Sequence, residues 1–391
     1  MTLAHVSGHI MNTYRRWEVE FVEGRGATLH DAQGRSYIDL VAGIAVASVG
    51  HAHPAIAEAV AKQSARLIHV SNLYLTRPQA ELSDRLAELT GGMLSFFCNS
   101  GAEAIECALK LARRWARSSN ASSEAKVICA EGGFHGRTFG ALAATGQASK
   151  REPFAPMLPG FVHVPFGDIE ALAAQMDESV CAVLLEPIQG EAGVVVPPDD
   201  YLSLTRTLCD RHGALLILDE IQTGVGRTGD WFAHRHYGVT PDVMCLAKAL
   251  AGGLPMGACL ARPEVAGAFA PGDHASTFGG GPVQSAAALA VLDVIEEEGL
   301  LQRASSAGAR LAAGLRGVFP GMEVRGRGLL IGIDLGAPIA RAVVEAALAD
   351  GVLVNDPTPS VVRVTPPLVI TDEEIDRALG SLTNAYRSVI G

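Results

Sequence analysis

The chain has 391 residues, 48% of them hydrophobic, which is enough for two or three domains with large cores. Its 42 acidic residues outnumber the 31 basic ones and give a net charge of -11, which argues against nucleic acid or an anionic membrane as the main partner. The 7 cysteines include no Cys-x-x-Cys pair and cannot all pair, so we expect reduced thiols and a cytoplasmic protein. Neither a secretory signal nor a membrane-spanning stretch is apparent.

The first forty residues predict an arm and a short hairpin. Residues 28–30 and 36–38 flank Asp31-Ala32-Gln33-Gly34, which is a turn signal. Two histidines, His51 and His53, follow at close spacing, but no carboxylate or cysteine cluster adjoins them. We therefore predict a loop leading into a helix here, and no metal site.

From about residue 54 to residue 298 the pattern is typical of a large α/β domain. Helical patterns cover 54–68 and 78–90, and apolar runs then alternate with amphipathic helices up to a long helix at 282–298. The runs predict strands near 93–98, 126–130, 181–186, 214–219, 243–247 and 256–261. Such alternation predicts a mainly parallel sheet with helices on both faces, and ligands bind beyond the carboxyl ends of such strands.

The pattern changes after residue 298 and predicts a smaller α+β domain. Helices near 300–317, 338–350 and 371–387 are interleaved with short strands near 322–335, 351–354 and 361–364. We therefore divide the chain into an N-terminal segment that packs with the small domain (1–45), a large domain (46–298) and the small C-terminal domain (299–391).

Two apolar runs in the large domain end in groups of opposite charge. Residues 215–218 lead to Asp219, and residues 243–247 lead to Lys248. Pyridoxal phosphate needs two such groups. One is an acid that keeps its ring nitrogen protonated, and the other is a desolvated amine that reacts with its aldehyde. None of the other four lysines ends a buried run. An ATPase strand also ends in acids, but no lysine follows a glycine, so the phosphate loop that an ATPase requires is missing.

Three glycine-rich turns could complete such a site. Ser100 and Gly101 begin a helix whose free N–H groups suit a phosphate, although an ordinary capped helix reads the same way. In Gly132-Gly133-Phe134 the ring could cover a flat cofactor, and Arg137 could clamp a carboxylate; a buried Phe and a surface Arg are the alternative. Further candidate polar groups are Glu186, Glu191, Gln222, Ser276 and Thr277.

The stretch Gly224-Val225-Gly226-Arg227-Thr228-Gly229 matches a dinucleotide-binding pattern only weakly. The glycines should lie directly between a strand and a helix, but residues 221–223 intervene after the strand. An NAD-linked enzyme therefore stays a minor alternative.

Seven motifs together resemble the class III, ornithine-type branch of the fold-type I pyridoxal-phosphate aminotransferases. They span nearly the whole chain in the order FCNSGAEA, GGFHGRT, LLEPIQGEAGVVVP, LLILDEIQTGVGRTG, LAKALAGGLP, STFGGGP and RVTPPLVI. The resemblance implies a large domain with a mainly parallel seven-stranded sheet and a smaller α+β C-terminal domain. It also implies a homodimer whose active sites are shared between subunits.

The resemblance assigns roles in cofactor binding. Lys248 would hold the cofactor's aldehyde covalently and then move the proton, and Asp219 would pair with the ring nitrogen. Phe134 would stack on the ring, and Gln222 would bond its phenolic oxygen. The other cofactor-binding residues would be Ser100, Gly101, Ala102, Glu220 and Thr277 of the partner subunit.

The resemblance also assigns roles in substrate binding. Arg137 would bind the distant α-carboxylate of an ω-amino donor, and Arg363 would bind the α-carboxylate of glutamate. Glu191 would cover Arg363 when an ω-amine enters, so that one site accepts two differently charged substrates. The remaining substrate-binding residues would be Tyr14, Glu186 and Ser276.

Within the family, Asn12-Thr13-Tyr14 and residues 42–46 and 71–74 are most similar to acetylornithine aminotransferases of arginine biosynthesis. Ile44 stands where ornithine-specific and lysine-pathway relatives carry a tyrosine, and an apolar side chain suits an acylated amine. The implied reaction converts N2-acetyl-L-ornithine and 2-oxoglutarate into N-acetyl-L-glutamate 5-semialdehyde and L-glutamate. Ornithine, succinyl-diaminopimelate and 4-aminobutyrate aminotransferases, and a pyridoxal-binding protein without turnover, are the alternatives. Three asparagines usual in the family are replaced, by Ala47, Ile105 and Gly281.

Overall fold

The computed structural model describes residues 9–118 and 125–391. The first eight residues of the predicted N-terminal segment and the serine-rich loop before Lys126 lie outside the described residues. The strands are β1 (Phe21–Arg25), β2 (Thr28–Asp31), β3 (Ser36–Asp39), β4 (Leu94–Cys98), β5 (Lys126–Ala130), β6 (Phe161–Val164), β7 (Val180–Leu185), β8 (Leu215–Asp219), β9 (Val243–Leu246), β10 (Gly257–Ala261), β11 (Glu323–Arg327), β12 (Leu330–Asp334), β13 (Val352–Leu353), β14 (Asn355–Thr358) and β15 (Val361–Val364).

The helices surround these strands. They are α1 (Ala42–Ala45), α2 (Pro54–Ser64), α3 (Arg77–Thr90), α4 (Gly101–Ser118), α5 (Phe139–Ala144), α6 (Ala148–Arg151), α7 (Ile169–Gln175), α8 (Tyr201–His212), α9 (Pro263–Ala266), α10 (Pro282–Glu297), α11 (Leu300–Val318), α12 (Ala340–Ala349) and α13 (Asp372–Ile390). Short 3-10 turns cover Glu152–Phe154, Ala233–Tyr237 and Lys248–Ala251. None of the helices in the described ranges is both long and apolar enough to cross a membrane.

A seven-stranded sheet forms the centre of the large domain, in the order β4-β10-β9-β8-β7-β5-β6. Only β10 runs antiparallel to its two neighbours, and all other pairs are parallel. The predicted fold class, a mainly parallel seven-stranded sheet, is therefore confirmed. β7, β8 and β9 are buried along their whole length because helices cover both faces, which explains their uninterrupted apolar sequences.

Helix α4 covers one face of this sheet and starts at its functional edge. Ala104, Ala108 and Ala112 are fully buried, and these small side chains let the helix approach the strands closely. Ile105, which replaces a family asparagine, is also fully buried in this core. The N-terminus of the helix therefore has a fixed position beyond the end of β4.

The small domain contains a four-stranded sheet in the order β11-β12-β15-β14, packed against α11 and α12, and α13 packs against these two helices. The last helix begins where the sequence predicts, because Thr371 and Glu374 form a capping box. Arg363 lies in the middle of β15, opposite Gly332 of β12. This sheet therefore carries a buried cation toward the large domain.

The N-terminal residues form a third sheet in the order β1-β2-β3-β13. The predicted hairpin is present, with Thr28 opposite Ile38. β3 also pairs in parallel with β13, where Ile38 lies opposite Val352. The chain then turns through α1, whose four residues all have positive φ, into the segment that contains Val46. The N-terminal segment is thus joined directly to the C-terminal part of the chain.

Candidate active site

A cavity of about 440 Å³ opens at the carboxyl edge of the seven-stranded sheet. β4, β8 and β9 are mutually parallel and end at this edge, so the residues that follow them converge. Ten of the residues predicted from the sequence line the cavity, namely Ser100, Gly101, Ala102, Phe134, Arg137, Glu186, Glu191, Asp219, Gln222 and Lys248.

One end of the cavity is the N-terminus of α4. Ser100 Oγ accepts a hydrogen bond from the backbone N–H of Glu103 at 3.2 Å, which leaves the first N–H groups of the helix facing the cavity wall. Gly101 has no room for a side chain, since a Cβ would lie 2.8 Å from Cδ1 of Ile221. This end of the cavity therefore offers backbone donors and a positive helix terminus, which suits a phosphate.

Asp219 is held by a histidine that the sequence reasoning missed. Nδ1 of His135 lies 2.8 Å from Oδ2 of Asp219, and both side chains are buried. Burial is the largest influence and would lower the pKa of His135, but the hydrogen bond to Asp219 and the charges of Asp219 and Glu186 together raise it. Nε2 of His135 has no hydrogen-bond partner among the described residues. The pair therefore supplies an oriented carboxylate with a polar group behind it.

Lys248 lies two residues beyond the end of β9 and begins a 3-10 turn, with φ of 40°. Burial is the largest cause of its lowered pKa, and Arg363 acts in the same direction, while Glu191 and Asp219 oppose them. A strained backbone persists only where the surroundings enforce it, and such positions cluster at functional sites. Lys248 is therefore an amine whose deprotonated, nucleophilic form is favoured.

Glu186 is a buried carboxyl at the edge of the same cavity. Its oxygens accept hydrogen bonds from the backbone N–H groups of Phe134 at 3.0 Å and Gly190 at 3.2 Å. Burial raises its pKa to about 7, the charge of Asp219 adds to this effect, and His135 and the two N–H donors oppose it. The group can therefore take up or release a proton near neutral pH.

Arg363 is fully buried beside the cavity and is covered by Glu191. Its Nη1 donates to Oε1 of Glu191 at 2.6 Å, to Oε1 of Gln222 at 3.1 Å and to the carbonyl of Gly190 at 3.1 Å. Its Nη2 has no partner among the described residues. Burial would raise the pKa of Glu191, but Arg363 and the ammonium groups of Lys248 and Lys150 lower it overall. A guanidinium with one free nitrogen is suited to a second carboxylate.

The wall beneath Arg137 contains a second cation, Lys150, that the sequence analysis did not assign to the site. Cζ of Arg137 lies 5.5 Å from the centroid of the Phe134 ring, and Nζ of Lys150 lies 4.8 Å from the same centroid. No sequence pattern marks Lys150, because its contact depends on the fold. The predicted ring-stacking residue is thus flanked by two positive charges.

Glu220 does not line the cavity. Its carboxylate accepts hydrogen bonds from the backbone N–H groups of Ala233 and His234 and from the hydroxyl of Thr223. The position does not fit the prediction that Glu220 binds the cofactor, because neighbouring side chains of an extended segment point to opposite faces. Glu220 instead fixes the loop that follows Asp219.

Four other predicted residues also lie outside the lining of the cavity in this chain. Tyr14 and Thr277 are exposed. Ser276 reaches the cavity only indirectly, since its Oγ accepts a hydrogen bond from Nδ2 of Asn99 at 3.1 Å. Arg363 contacts the cavity through Glu191 and Gln222, as described above.

The loop from Gly224 to Gly229 packs between the domains and does not line the cavity. Arg227 is fully buried, donates to the carbonyls of Leu329 and Pro366, and bonds Oγ of Ser48. This loop therefore joins the domains and leaves no room for a dinucleotide. Across residues 9–118 and 125–391 there is also no group of three histidine, cysteine or acidic side chains arranged for a metal ion.

The family model described as "Aminotransferase class-III" matches residues 10–386. The chain belongs to the class III aminotransferases. This aminotransferase is 50% identical over 384 residues to the acetylornithine aminotransferase of Corynebacterium efficiens, covering 95% of this chain and 94% of the relative. It is also 50% identical to the acetylornithine aminotransferase of Methanopyrus kandleri, covering 97% of each chain.

A solved structure of the ornithine aminotransferase from Toxoplasma gondii superimposes on this aminotransferase with a TM-score of 0.95 and 36% sequence identity, covering 99% of this chain and 94% of that one. The fold-type I architecture is therefore confirmed. The predicted resemblance to the acetylornithine branch is confirmed by the curated relatives. As a class III aminotransferase, the protein is an enzyme that depends on pyridoxal phosphate.

Proposed function

We propose that this aminotransferase moves the terminal amino group of N2-acetyl-L-ornithine to 2-oxoglutarate, giving N-acetyl-L-glutamate 5-semialdehyde and L-glutamate, as in arginine biosynthesis. The observation that carries the proposal is one cavity lined by Lys248, Asp219 and Arg137, with Arg363 buried behind its lining residue Glu191. The acetylornithine aminotransferases that it resembles at 50% identity support the same substrate.

The residues present fit pyridoxal phosphate. When bound, it supplies an aldehyde that takes up the amino group and a protonated ring that withdraws electrons from the substrate carbon. The N-terminus of α4 receives the phosphate, and Asp219, oriented by His135, holds the proton on the ring nitrogen. Lys248 then moves the proton at the substrate carbon, because its lowered pKa leaves the amine able to accept it.

The two arginines explain how two unlike substrates use one cavity. Arg137 binds the carboxylate that is distant from the reacting amine. For an ω-amine, Glu191 stays on Arg363, so no free cation repels or misplaces the substrate. For glutamate, the α-carboxylate displaces Glu191 and uses the free Nη2 of Arg363.

Ornithine transfer is the second candidate. The structural similarity to an ornithine aminotransferase favours it, whereas the apolar Ile44, two residues before the cavity residue Val46, favours an acylated amine. Initial rates of glutamate formation should be measured with acetylornithine, ornithine, succinyl-diaminopimelate and 4-aminobutyrate as donors. We expect the highest kcat/KM for acetylornithine. A higher value for free ornithine would contradict the Ile44 argument, and no turnover with any donor would leave only cofactor binding.

Covalent trapping tests the role of Lys248. Borohydride reduction of the loaded enzyme should attach the cofactor to Lys248, which mass spectrometry of peptides would identify. The other four lysines act as internal controls. Labelling of any of them instead would refute the assignment.

We further propose that the enzyme is a homodimer in which Thr277 of each chain completes the phosphate site of the other. Thr277 is exposed on this chain and lies next to Phe278, which is 62% exposed. Exposed apolar side chains surround the same region, namely Leu67, Ile68, Leu73, Tyr74 and Leu75. Large apolar side chains exposed together are typical of an interaction surface, which supports a second copy as its partner.

Complementation between two inactive variants tests the shared site. Lys248→Ala and Thr277→Asp should each abolish activity. Mixed and refolded together, they form hybrid dimers in which one site has an intact lysine and an intact threonine from opposite chains. Recovery of activity toward one quarter of the wild-type value is expected, whereas no recovery would place Thr277 in the site of its own chain.

Two further proposals concern compartment and organisation. All 7 cysteines are free and buried, which supports a reducing compartment, and we propose the cytoplasm. We also propose the division into residues 1–45, 46–298 and 299–391, which the separate sheets support.

A further inference from the structure

Lys150 is a cation without an acidic partner at the edge of the active site. It forms no ion pair with any residue in the described ranges, and its only charged neighbour on the Phe134 ring is another cation, Arg137. Since a half-buried ammonium loses hydration, a position without a counter-charge calls for an explanation. A carboxylate that reaches Lys150 during part of the reaction would provide one.

The backbone holds Lys150 firmly against the turn that contains Phe134. The N–H of Gly146 donates to the carbonyl of Gly133 at 2.8 Å, and Nε2 of Gln147 donates to the carbonyl of Gly132 at 2.9 Å. These bonds fix the start of α6, the helix that carries Lys150. Lys150 is therefore held in a fixed position at the active site, unlike a lysine on a freely moving surface segment.

The same turn contacts the segment that contains Glu191. Nε2 of Gln189 donates to the carbonyl of Glu131 at 2.8 Å. A Cβ added at Gly132 would lie 3.2 Å from Cβ of Ala192, so the two turns touch. Lys150 and Glu191 are thus carried by two segments in direct contact.

The charges of Lys150 and Glu191 also influence each other. The Glu191 carboxylate is the largest influence that raises the pKa of Lys150, although burial lowers this pKa overall. The Lys150 ammonium is in turn one of three cations that hold down the pKa of Glu191. The two groups therefore attract each other even while Glu191 is bonded to Arg363.

Glutamate binding creates a displaced carboxylate. In the proposed function, the substrate's α-carboxylate takes Arg363, so Glu191 must leave a buried guanidinium that it contacts at 2.6 Å. A carboxylate left buried without a cation is strongly unfavourable. Lys248 is engaged in the reaction itself, and in the proposed function Arg137 binds the other carboxylate of the substrate. Lys150 is therefore the remaining cation of this wall that can receive Glu191.

We propose that Lys150 receives the carboxylate of Glu191 whenever a substrate α-carboxylate occupies Arg363. Lys150 is then a positioning residue for the switch between the two half-reactions, and this inference rests on the proposed roles of Glu191 and Arg363. It predicts that Lys150 matters for α-amino acids such as glutamate and hardly matters for ω-amines.

Single-turnover spectroscopy of the loaded enzyme tests this inference. The variants Lys150→Met and Lys150→Arg are compared with Lys62→Met, a matched control at an exposed position of α2. Lys150→Met should lower kcat/KM of the glutamate half-reaction about tenfold and change that of the acetylornithine half-reaction less than about twofold. Lys150→Arg should restore most of the loss, and Lys62→Met should match the wild type.

A double-mutant cycle identifies the group through which Lys150 acts. In a Glu191→Gln background, Lys150→Met should cause no further selective loss, because the displaced charge is gone. An equal loss in both half-reactions, or an unchanged glutamate half-reaction, would overturn the inference while leaving the aminotransferase function intact. If the wild-type enzyme itself failed to react with glutamate, the proposed function would be refuted instead.

Discussion

Replacing Glu186 by glutamine should change the pH dependence of stability in a defined direction. The pKa of Glu186 is raised from 4.5 to about 7 in the folded protein, mainly by burial. Between these values the folded state keeps a proton that the unfolded state has lost, so stability falls as pH rises. The shift corresponds to about 3 kcal/mol of the free energy of unfolding. This contribution is fully present below pH ~4.5 and fully lost above pH ~7.

Glutamine does not titrate. The stability of the Glu186→Gln variant should therefore increase relative to that of the wild type as pH rises. Its amide can accept from only one of the two N–H donors that Glu186 serves, which costs about 1 kcal/mol at every pH. The pH-dependent part is therefore the informative quantity. It is measured as the difference between variant and wild-type apoprotein in urea unfolding from pH 4.5 to 8.5.

Glu220 provides a control of opposite sign. Burial would raise the pKa of Glu220, but the hydrogen bonds and charge of His234 and the hydroxyl of Thr223 together lower it. This group stabilises the folded state above its unfolded pKa, and the contribution is lost as pH falls through the lower folded value. Glu220→Gln should therefore destabilise the protein at neutral pH, and less so in acid. The quantity to compare is the pH dependence of the difference in unfolding free energy between variant and wild type. If this pH dependence were the same for Glu186→Gln and Glu220→Gln, or absent for Glu186→Gln, the burial argument would be refuted.

Three other outcomes are expected. His135→Ala should lower kcat at least tenfold and weaken cofactor binding, since Asp219 loses its buried partner. Cofactor titration and turnover measure both effects. Unchanged values would show that the contact between His135 and Asp219 has no role in cofactor binding or turnover. Gly146→Ala should destabilise the protein by roughly 1–3 kcal/mol in urea unfolding because its Cβ would overlap the carbonyl of Ala130, whereas Gly317→Ala, in open space, should not. The cysteines should react with a thiol reagent only after unfolding, as all 7 are buried; a fast thiol in the folded protein would contradict this.

The sequence was sufficient for the central sheet because burial on both faces produces continuous apolar runs. The strands that lead to Asp219 and Lys248 were predicted within one residue, and their parallel order brings both groups to one edge. β6 (Phe161–Val164) was missed because it lies at the sheet edge, is mostly half-buried and contains a histidine. Such a strand lacks the uninterrupted apolar signal.

The residues missed at the site depend on tertiary contacts. His135 meets Asp219 across 84 residues of sequence, and Lys150 meets Phe134 from a loop that looks polar. No local pattern specifies such pairs. The position of Glu220 outside the cavity follows from the sequence, because the alternation of side chains along an extended segment separates it from Asp219.

The bond between Thr365 and Val41 joins positions 324 residues apart. A ribosome adds about 5–20 residues per second, so Val41 is synthesised roughly 15–65 s before Thr365. During this time the hairpin formed by β2 and β3 has an unpaired edge, because β13 does not yet exist. The wall of the cavity near Val46 can be completed only after β15 has emerged. Nascent chains of this enzyme therefore expose an open strand edge for chaperones long before they can acquire their vitamin-derived cofactor.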